Sequence, residues 1–430
     1  MEYYMEPAKK VPVTDKVDVL VAGSGPAGIG AAVAAARRGC RVMIIEQAGD
    51  VGGVAATGMM SHWTGGTKGG FYEELLERSR DDRHKGGRKT INPEKLKTVL
   101  LQILEEEQVR VRTYTFAAGV IKEGNRVKGV LLESKSGREA VLAEVVIDCT
   151  GDGDLAAAAG APYYKGREED GQMQPMTLMF KVAGVDEERA IFPGTFETNL
   201  PVPGGMVQDL AREKLPSPAG HVLLYPTTLP GVVSVNMTNC TGVDGTSARD
   251  LARAHRDCRI QMEPVVDFLR QYVPGYEDCY IISSASIIGV RETRHFLGEG
   301  TVTKEDVEQA VQHEDWAVRD AHFNFDVHNM TGSGLDATGC QAGFQQKKGY
   351  SIPYGCLVPE KIDGLLLAGR DICGTHMAHA SYRVMPICVK LGEAAGTAAS
   401  ICIRKGICPR QIEVKELQEL LTRSQEEGQR

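Results

Sequence analysis

The sequence VDVLVAGSGPAG, at residues 17–28, decides the fold because an apolar run leads directly into a glycine-rich turn. The run at residues 17–22 is short, rich in β-branched side chains and bounded by glycine, which predicts a buried parallel strand. The alanine- and glycine-rich residues 26–39 predict a helix pressed closely against a sheet. In such a unit, the GxGxxG glycines allow a tight turn and the close approach of a pyrophosphate, and the helix N-terminus faces the phosphates. The predicted phosphate-binding residues are Gly23, Gly25, Pro26, Ala27 and Gly28.

A carboxylate stands where ribose recognition requires one. Residues 41–45 predict a second strand, and Glu46 at its end lies about 20 residues beyond the glycines. A carboxylate at this place accepts hydrogen bonds from ribose hydroxyl groups and repels a 2′-phosphate, so FAD or NAD is favoured over NADP. Gln47 and Gly53, in the loop that follows, are predicted to contact the same cofactor.

The last part of the chain carries a second glycine-rich segment, IDGLLLAGRD at residues 362–371. This apolar run closes in Gly369 and Asp371, and an acid at the end of a strand can hold ribitol hydroxyl groups. Val384 and Met385 then lead into an alanine-rich helix, whose N-terminal dipole would stabilise negative charge on a reduced flavin. A chain that leaves a nucleotide-binding sheet and later returns to finish the site is typical of flavoproteins rather than nicotinamide dehydrogenases.

Composition restricts the class of protein. A chain of 430 residues is too long for one compact core and fits two domains. The formal net charge of −8 leaves no basic footprint, which argues against nucleic acid as a partner. The 11 cysteines show no C-x-x-C spacing, so we expect reduced thiols and no metal site. Without a signal-peptide pattern, or an apolar run near the roughly 20 residues that span a bilayer, we expect a cytoplasmic protein with no membrane span.

Three segments resemble one known family. Residues 364–399 closely resemble the C-terminal flavin motif of the FAD-dependent oxidoreductases related to the flavoprotein subunits of fumarate reductase, succinate dehydrogenase and heterodisulfide reductase. Residues 145–161 resemble the middle motif of that family, and residues 291–295 resemble its arginine-rich strand exit. The resemblance implies bound FAD, with Gly151 and Asp152 of the middle motif among its contacts. The iron–sulfur clusters of some members are not expected here, because the cysteines are not clustered.

The resemblance also implies an α/β architecture, in which an interrupted Rossmann-like FAD-binding domain of the glutathione-reductase type carries an inserted α+β cap domain. We predict the first part of the FAD-binding domain at residues 1–165 and the cap, which shapes the substrate site, at residues 166–345. Residues 346–430 are predicted to complete the FAD-binding domain and to end in a C-terminal helix.

Candidate catalytic residues lie in two places, and each has a structural alternative. After the predicted strand 281–289, an arginine could clamp a substrate carboxylate or donate a proton, or could instead form an interdomain ion pair with Glu292 or Glu299. The polar residues between the Gly369 turn and the last long helix could face the flavin, or could bond the backbone of their own loop. The predicted catalytic residues are Arg291, Arg294, His376, His379 and Arg383.

Two other histidines remain open. Asp326 and His328 have the i, i+2 spacing that places both side chains on one face of an extended segment, as a structural pair or as a base held by an acid. His62 lies roughly where some fumarate reductase relatives attach FAD covalently. The residues around it do not match that motif, so non-covalent FAD is favoured.

We therefore predict an FAD-dependent oxidoreductase that transfers hydride between a small polar organic substrate and flavin N5. One alternative is a flavoprotein subunit that passes electrons within a larger redox complex. Another is a nicotinamide dehydrogenase without flavin. The electron donor or acceptor that recycles the flavin is not identified by the sequence, and a homo-oligomer is possible.

Overall fold

A seven-stranded sheet grows outward from the first glycine-rich motif. In the computed structural model, which describes residues 2–81, 89–339 and 343–427, the strand before Gly23 is the long β1. The strands in chain order are β1 (Val13–Ala22), β2 (Val42–Ile45), β3 (Arg110–Arg112), β4 (Thr115–Glu123), β5 (Arg126–Ser134), β6 (Gly137–Asp148), β7 (Tyr163–Lys165), β8 (Phe180–Ala183), β9 (Pro201–Val202), β10 (Gly205–Met206), β11 (Leu224–Pro226), β12 (Val233–Val235), β13 (Tyr280–Ser284), β14 (Arg294–Phe296), β15 (Trp316–Ala321), β16 (Tyr350–Pro353) and β17 (Leu365–Leu367).

Ten α-helices and three short 3₁₀ helices are present in the described ranges. The α-helices are α1 (Pro26–Ala36), α2 (Gly70–Ser79), α3 (Pro93–Glu106), α4 (Asp154–Ala159), α5 (Val207–Lys214), α6 (Ala248–Tyr272), α7 (Lys304–Gln309), α8 (His376–Tyr382), α9 (Met385–Lys405) and α10 (Val414–Glu427). The 3₁₀ helices are Gly53–Ala55, Tyr354–Leu357 and Pro409–Gln411. A capping box formed by Thr303 and Asp306 begins α7.

The sheet joins the two ends of the chain. Its parallel part has the order β3-β2-β1-β6-β17, so the returning strand β17 lies beside β6. On the edge of β6 where its second half pairs with β17, its first half pairs with β5. Strand β5 in turn pairs with β4, and the three strands form an antiparallel meander. Residues 137–148 form one continuous strand. One strand changes partners along its length, so its sequence changes from alternating to continuously apolar.

A second sheet and a second core occupy the middle of the chain. The antiparallel strands have the order β11-β12-β8-β13, and α6 contributes Val265 and Val266 to their core. This core draws its side chains from Met176 to Ala285, whereas buried side chains from Phe296 to Val327 belong to the first core. The domain boundaries at 165/166 and 345/346 stay a prediction, and residues 340–342 and 428–430 lie outside the described ranges.

Helices α1 and α9 touch backbone to backbone. A Cβ added to Gly30 would lie 2.4 Å from the carbonyl oxygen of Val389, and one added to Gly392 would lie 1.9 Å from that of Ala27. The small side chains noted in both helices therefore serve contact between helices as well as contact with the sheet. By length and composition α9 could cross a membrane, but 94% of its apolar stretch is buried inside this fold.

Candidate active site

A cavity of about 500 Å³ opens at the carboxyl ends of β1, β2, β6 and β17. This is the place where open α/β sheets bind their ligands. One wall consists of the two glycine-rich segments, including Gly25 and Gly369. The opposite wall comes from the middle of the chain and includes Thr177, Asn236 and Arg291. The cavity is therefore bounded by both cores.

The three motif glycines are required for three different reasons. Gly23 has a φ of +91°, and a Cβ there would lie 2.4 Å from the Cys149 carbonyl oxygen. A Cβ on Gly28 would lie 1.9 Å from the carbonyl oxygen of Gly23. Gly25 has an ordinary φ of −64°, and no atom lies within 4 Å of its added Cβ. Because Gly25 lines the cavity, the open space beside it fits the approach of a ligand.

Glu46 lies at the cavity edge, and hydrogen bonds from Ser24 and Ala48 orient its carboxylate. Its Oε2 accepts hydrogen bonds from the backbone N–H of Ser24 at 2.9 Å and from the Ser24 hydroxyl at 2.7 Å. Its Oε1 accepts one from the Ala48 N–H at 2.8 Å. A carboxylate has about four acceptor positions, so capacity for a ribose hydroxyl group remains. Gln47 and Gly53 also line the cavity.

The second glycine-rich segment carries a buried acid. Asp371 is fully buried, and neither carboxylate oxygen has a hydrogen-bond partner in another described residue. Burial, followed by the nearby charge of Asp148, raises the pKa of Asp371 well above its usual range. Its Oδ1 would lie 3.5 Å from a Cβ on Gly369, which lines the cavity. Asp371 itself does not line the cavity, so its contact with ribitol hydroxyl groups stays a prediction.

Two helix N-termini supply positive potential. Gly25 and Val384 are the N-cap residues of α1 and α9, and neither helix has a side chain bonded to its first turn. Both N-cap residues line the cavity, as does Met385. Free N–H groups at a helix start attract anionic groups, so both helix starts favour a negatively charged ligand in the cavity.

The middle motif forms a polar edge of the cavity. Gly151 and Asp152 both line it. The Asp152 carboxylate accepts hydrogen bonds from Arg370 at 2.6 Å and from the Thr293 hydroxyl at 2.7 Å. Arg294 donates to the Asp152 carbonyl at 2.6 Å and to the Asp154 carboxylate at 2.9 Å. Arg294 does not line the cavity, and its observed role is an ion pair, with Asp154 rather than with Glu292 or Glu299.

Arg291 and Arg383 both line the cavity. Arg291 is only 8% exposed and donates to the Pro175 carbonyl at 2.5 Å, and no carboxylate of the described residues forms an ion pair with it. Burial first, and the charge of Arg383 second, lower the pKa of Arg291 to about 10. Arg383 is paired, since it donates to the carboxylate and the carbonyl of Asp326, each at 2.9 Å.

Asp326 and His328 lie together beside these arginines and also line the cavity. The His328 Nε2 is 3.5 Å from the Asp326 Oδ1. Burial first, and the charge of Arg291 second, lower the pKa of His328 to about 4, so its ring is neutral near pH 7. A neutral imidazole next to a carboxylate can accept a proton.

His376 and His379 lie behind the cavity wall. Both are 1% exposed, and neither lines the cavity. The His376 Nδ1 is 2.6 Å from the Glu292 Oε1, and the His379 ring packs edge-on against that of His295. Arg383, the C-cap residue of α8, lies seven positions beyond His376, or about 10 Å along the axis, and no residue of α8 itself lines the cavity. His376, His379 and Arg383 are close in sequence, but of the three only Arg383 lines the cavity.

His62 also lies away from the cavity. Its ring stacks on that of Tyr225 with 4.6 Å between centroids, and it is not among the lining residues. Non-covalent FAD stays a prediction. The sequence did not point to the cavity wall formed by Thr177, Met179 and Asn236, because no local motif marks residues that meet only through tertiary contacts.

A family model described as "FAD dependent oxidoreductase" matches residues 18–421. This chain belongs to the FAD-dependent oxidoreductase family. The prediction of an FAD-binding oxidoreductase enzyme with an α/β fold is thereby confirmed, and the nicotinamide dehydrogenase without flavin is set aside. The family assignment agrees with the cavity, where the space at Gly25 and the two helix N-termini suit the phosphate and ring portions of FAD, and with the buried acid Asp371 next to the lining residue Gly369.

Individual relatives of this FAD-dependent oxidoreductase are more distant. A "Fumarate reductase (cytochrome)" from Shewanella frigidimarina is 38% identical over 88 residues, which cover 20% of this chain and 15% of the relative. Among solved structures, a geranylgeranyl bacteriochlorophyll reductase-like protein from Thermoplasma acidophilum has a TM-score of 0.48 at 15% identity, covering 96% of this chain and 85% of its own. A p-nitrophenol 4-monooxygenase from Pseudomonas putida has a TM-score of 0.46 at 10% identity, covering 95% and 84%.

Proposed function

We propose that this oxidoreductase exchanges hydride between FAD and a small organic substrate that carries a carboxylate group. The observation that carries the proposal is Arg291, a buried guanidinium that lines the cavity and has no ion-pair partner among the described residues. A buried charge without a partner is costly, and a carboxylate is the group that a guanidinium binds best, through two parallel hydrogen bonds.

The charges at this end of the cavity support a single anionic group. Arg291 and Arg383 bring two positive charges, Asp326 brings one negative charge, and His328 is neutral. The sum is one unbalanced positive charge beside the space that the cap encloses. A substrate with one carboxylate near its reacting carbon would neutralise it, with Arg291 as the primary contact and Arg383 held by Asp326 at its side.

The remaining residues have roles that follow from their positions. Bound FAD supplies the two-electron chemistry. The N-terminus of α9, at Val384 and Met385, stabilises the negative charge that the reduced cofactor holds. His328 is the proposed proton carrier at its Nδ1, since its Nε2 hydrogen faces Asp326, which can stabilise the imidazolium that forms. The apolar residues Ile287 and Ile288 line the cavity before Arg291 and help to keep water from the reacting atoms.

The test uses the FAD-loaded protein and malonate, a small dicarboxylate, as the probe. We expect malonate to perturb the visible absorbance of the flavin and malonamide, which is uncharged, to have no effect. Arg291→Gln should weaken malonate binding by at least about 30-fold, because truncating one partner of a buried charged contact costs about 2–5 kcal/mol. Arg256→Gln, on the exposed surface of α6, is the matched control. Equal binding to wild type and Arg291→Gln, or no binding to wild type, would contradict the proposal.

The redox half of the proposal needs a separate measurement. Under anaerobic conditions, a panel of saturated and 2-hydroxy carboxylic acids is mixed with oxidised protein, and unsaturated and 2-oxo acids with the reduced protein. We expect members of one panel to change the flavin oxidation state, and His328→Gln to slow that change without weakening malonate binding more than about threefold. Amides or esters of the same acids should react poorly, and an equal rate for acids and esters would remove the carboxylate from the mechanism.

A further inference from the structure

The residue that follows Arg291 in the chain is a buried carboxylate with three hydrogen-bond contacts. Glu292 has no exposed surface, and its Oε2 accepts a hydrogen bond from the backbone N–H of Gln174 at 3.0 Å. Its Oε1 is 2.8 Å from the Nε2 of His295 and 2.6 Å from the Nδ1 of His376. His295 and His376 are also buried. None of these side chains lines the cavity, so the roles proposed above do not explain this cluster.

The contacts of His295 restrict its protonation. Its Nδ1 is 3.0 Å from the carbonyl oxygen of Gly374, which can only accept, so Nδ1 carries a hydrogen. A neutral imidazole has one N–H group, and its Nε2 would then direct a lone pair at the Glu292 carboxylate. That arrangement is repulsive unless a proton or a metal ion lies between the two atoms.

The distances favour the proton. Ligands at about 2.0–2.1 Å from one tetrahedral zinc ion are separated by about 3.3 Å. The separations of 2.8 and 2.6 Å seen here are those of charge-assisted hydrogen bonds. Although burial acts to raise it, the hydrogen bonds from His295 and His376 hold the pKa of Glu292 well below its usual range. The cluster is therefore best described as a Glu292 carboxylate paired with a doubly protonated His295.

This carboxylate connects the segments that carry the cavity arginines. Gln174, held by Glu292, precedes Pro175, whose carbonyl accepts the hydrogen bond from Arg291. The side-chain oxygen of Gln174 accepts the backbone N–H of His328 at 3.1 Å and lies 3.5 Å from the Arg383 Nη2. The third contact of Glu292, His376, begins the helix α8, whose C-cap residue is Arg383.

We propose that Glu292 is a positioning residue, which sets the separation and orientation of Arg291 and Arg383 through its ion pair with a doubly protonated His295. The proposal rests on the proposed function, in which these arginines hold the substrate carboxylate. Glu292 itself does not touch the substrate or the cofactor. Its effect should appear in anion binding rather than in the FAD content of the protein.

The main test compares Glu292→Gln with Glu299→Gln, an exposed glutamate seven residues away. Both variants are studied as full-length, FAD-loaded protein, with malonate as the probe. We expect Glu292→Gln to weaken malonate binding at least about 10-fold and to keep its FAD content, whereas Glu299→Gln stays within about twofold of wild type. Unchanged malonate binding in Glu292→Gln would overturn the proposal.

Two measurements test the charge state directly. In protein labelled with ¹⁵N-histidine, the His295 resonances, assigned with His295→Gln, should show two protonated nitrogens in wild type and one in Glu292→Gln. A single protonated nitrogen in wild type would contradict the ion pair. Stoichiometric metal that is present in wild type and lost in Glu292→Gln would replace the proton by a metal ion and overturn the proposal.

Failure of the proposed function can be told apart from failure of this inference. If wild type does not bind malonate, the proposed function fails, and crystal structures of wild type and Glu292→Gln then decide the positioning role. Displaced Arg291 and Arg383 side chains would support it, and unmoved ones would refute it. If Glu292→Gln does not fold, His376→Gln removes only one of the three contacts and should weaken malonate binding by about threefold.

Discussion

At the scale of single residues, identical glycines in the first motif do different work. Gly23 needs its left-handed backbone, and Gly28 needs the absence of a Cβ against the preceding turn. Gly25 has neither need, because its backbone is ordinary and the space beside it is open. The approach of the ligand then explains Gly25, so a substitution at this position should affect cofactor binding and not folding.

Gly25→Ala should therefore lower FAD content several-fold while changing the free energy of unfolding of the apoprotein by less than about 1 kcal/mol. The added methyl group occupies the space into which the pyrophosphate must approach. Flavin absorbance of the purified protein and urea unfolding of the apoprotein measure the two effects.

Gly28→Ala is the matched comparison. Its Cβ would lie 1.9 Å from the Gly23 carbonyl oxygen, so we expect a loss of about 1–3 kcal/mol of apoprotein stability. If Gly25→Ala destabilised the apoprotein as much as Gly28→Ala does, the ligand explanation of Gly25 would be wrong.

The sequence was informative at residues whose role is set by local geometry. Gly25 and Glu46 follow a strand end at fixed offsets, and both line the cavity. Arg291 and Arg294 could not be distinguished in the same way, since both follow one predicted strand. Their separation depends on the start of β14 at Arg294, where the side chain turns toward Asp154. Likewise, no local motif predicts that Gln174, His295 and His376 meet at Glu292.

At the scale of elements, the contact between α1 and α9 explains how the first and last parts of the chain form one site. Helix α1 presents its N-terminus to the cavity from the first motif, and α9 does so from the second. The backbones are in contact at Gly30, Gly392 and Gly396. The small residues could be predicted from the sequence, but the partner helix could not, because small side chains suit a sheet and a helix equally well.

This contact predicts an effect of unusual sign. In an open helix interior, Gly→Ala is stabilising by about 0.5–1 kcal/mol. In Gly392→Ala the new Cβ would lie 1.9 Å from the Ala27 carbonyl oxygen, so we expect destabilisation by about 1–3 kcal/mol in urea unfolding.

A double-mutant cycle provides the control. Gly30→Ala pushes apart the same two helices from the other side, since its Cβ would lie 2.4 Å from the Val389 carbonyl oxygen. The double variant should cost less than the sum of the single variants by at least about 0.5 kcal/mol. A stabilised Gly392→Ala protein, or strictly additive effects, would show that the helices do not meet in this way.

At the scale of the whole molecule, the cavity exists because two hydrophobic cores face each other across polar groups. Val21 and Leu366 belong to the first core, and Val235 belongs to the second. The FAD-binding half could be predicted from two local motifs. The cap at residues 166–345 could be predicted only from what the family resemblance implies, because the side chains that the middle of the chain contributes to the cavity are distant from one another in sequence.

Such burial makes the stability of the whole protein sensitive to acid. Burial, with the charge of His328 second, lowers the pKa of His221 to about 3, and the pKa of His328 is lowered to about 4. Both groups have a pKa near 6.5 in the unfolded chain, so below that pH the unfolded state binds protons that the folded state does not. Their contribution is complete above about pH 6.5 and is lost as the pH falls toward 4. The burial of His379, which lowers its pKa well below the usual range, acts in the same direction.

We therefore expect the free energy of unfolding to fall by about 1.4 kcal/mol per pH unit for each of these histidines between about pH 6 and pH 4.5. Urea unfolding at a series of pH values measures the slope. His221→Gln and His328→Gln should each reduce this slope by about 1.4 kcal/mol per pH unit, the contribution of one proton. His255→Gln, partly exposed on α6, serves as the control. Stability that is constant across this range, or a slope that neither variant reduces, would show that the two rings are not held neutral in the fold. Because His328 lines the cavity, FAD-loaded protein should keep the same sign of slope if the ring stays neutral when the cofactor is bound.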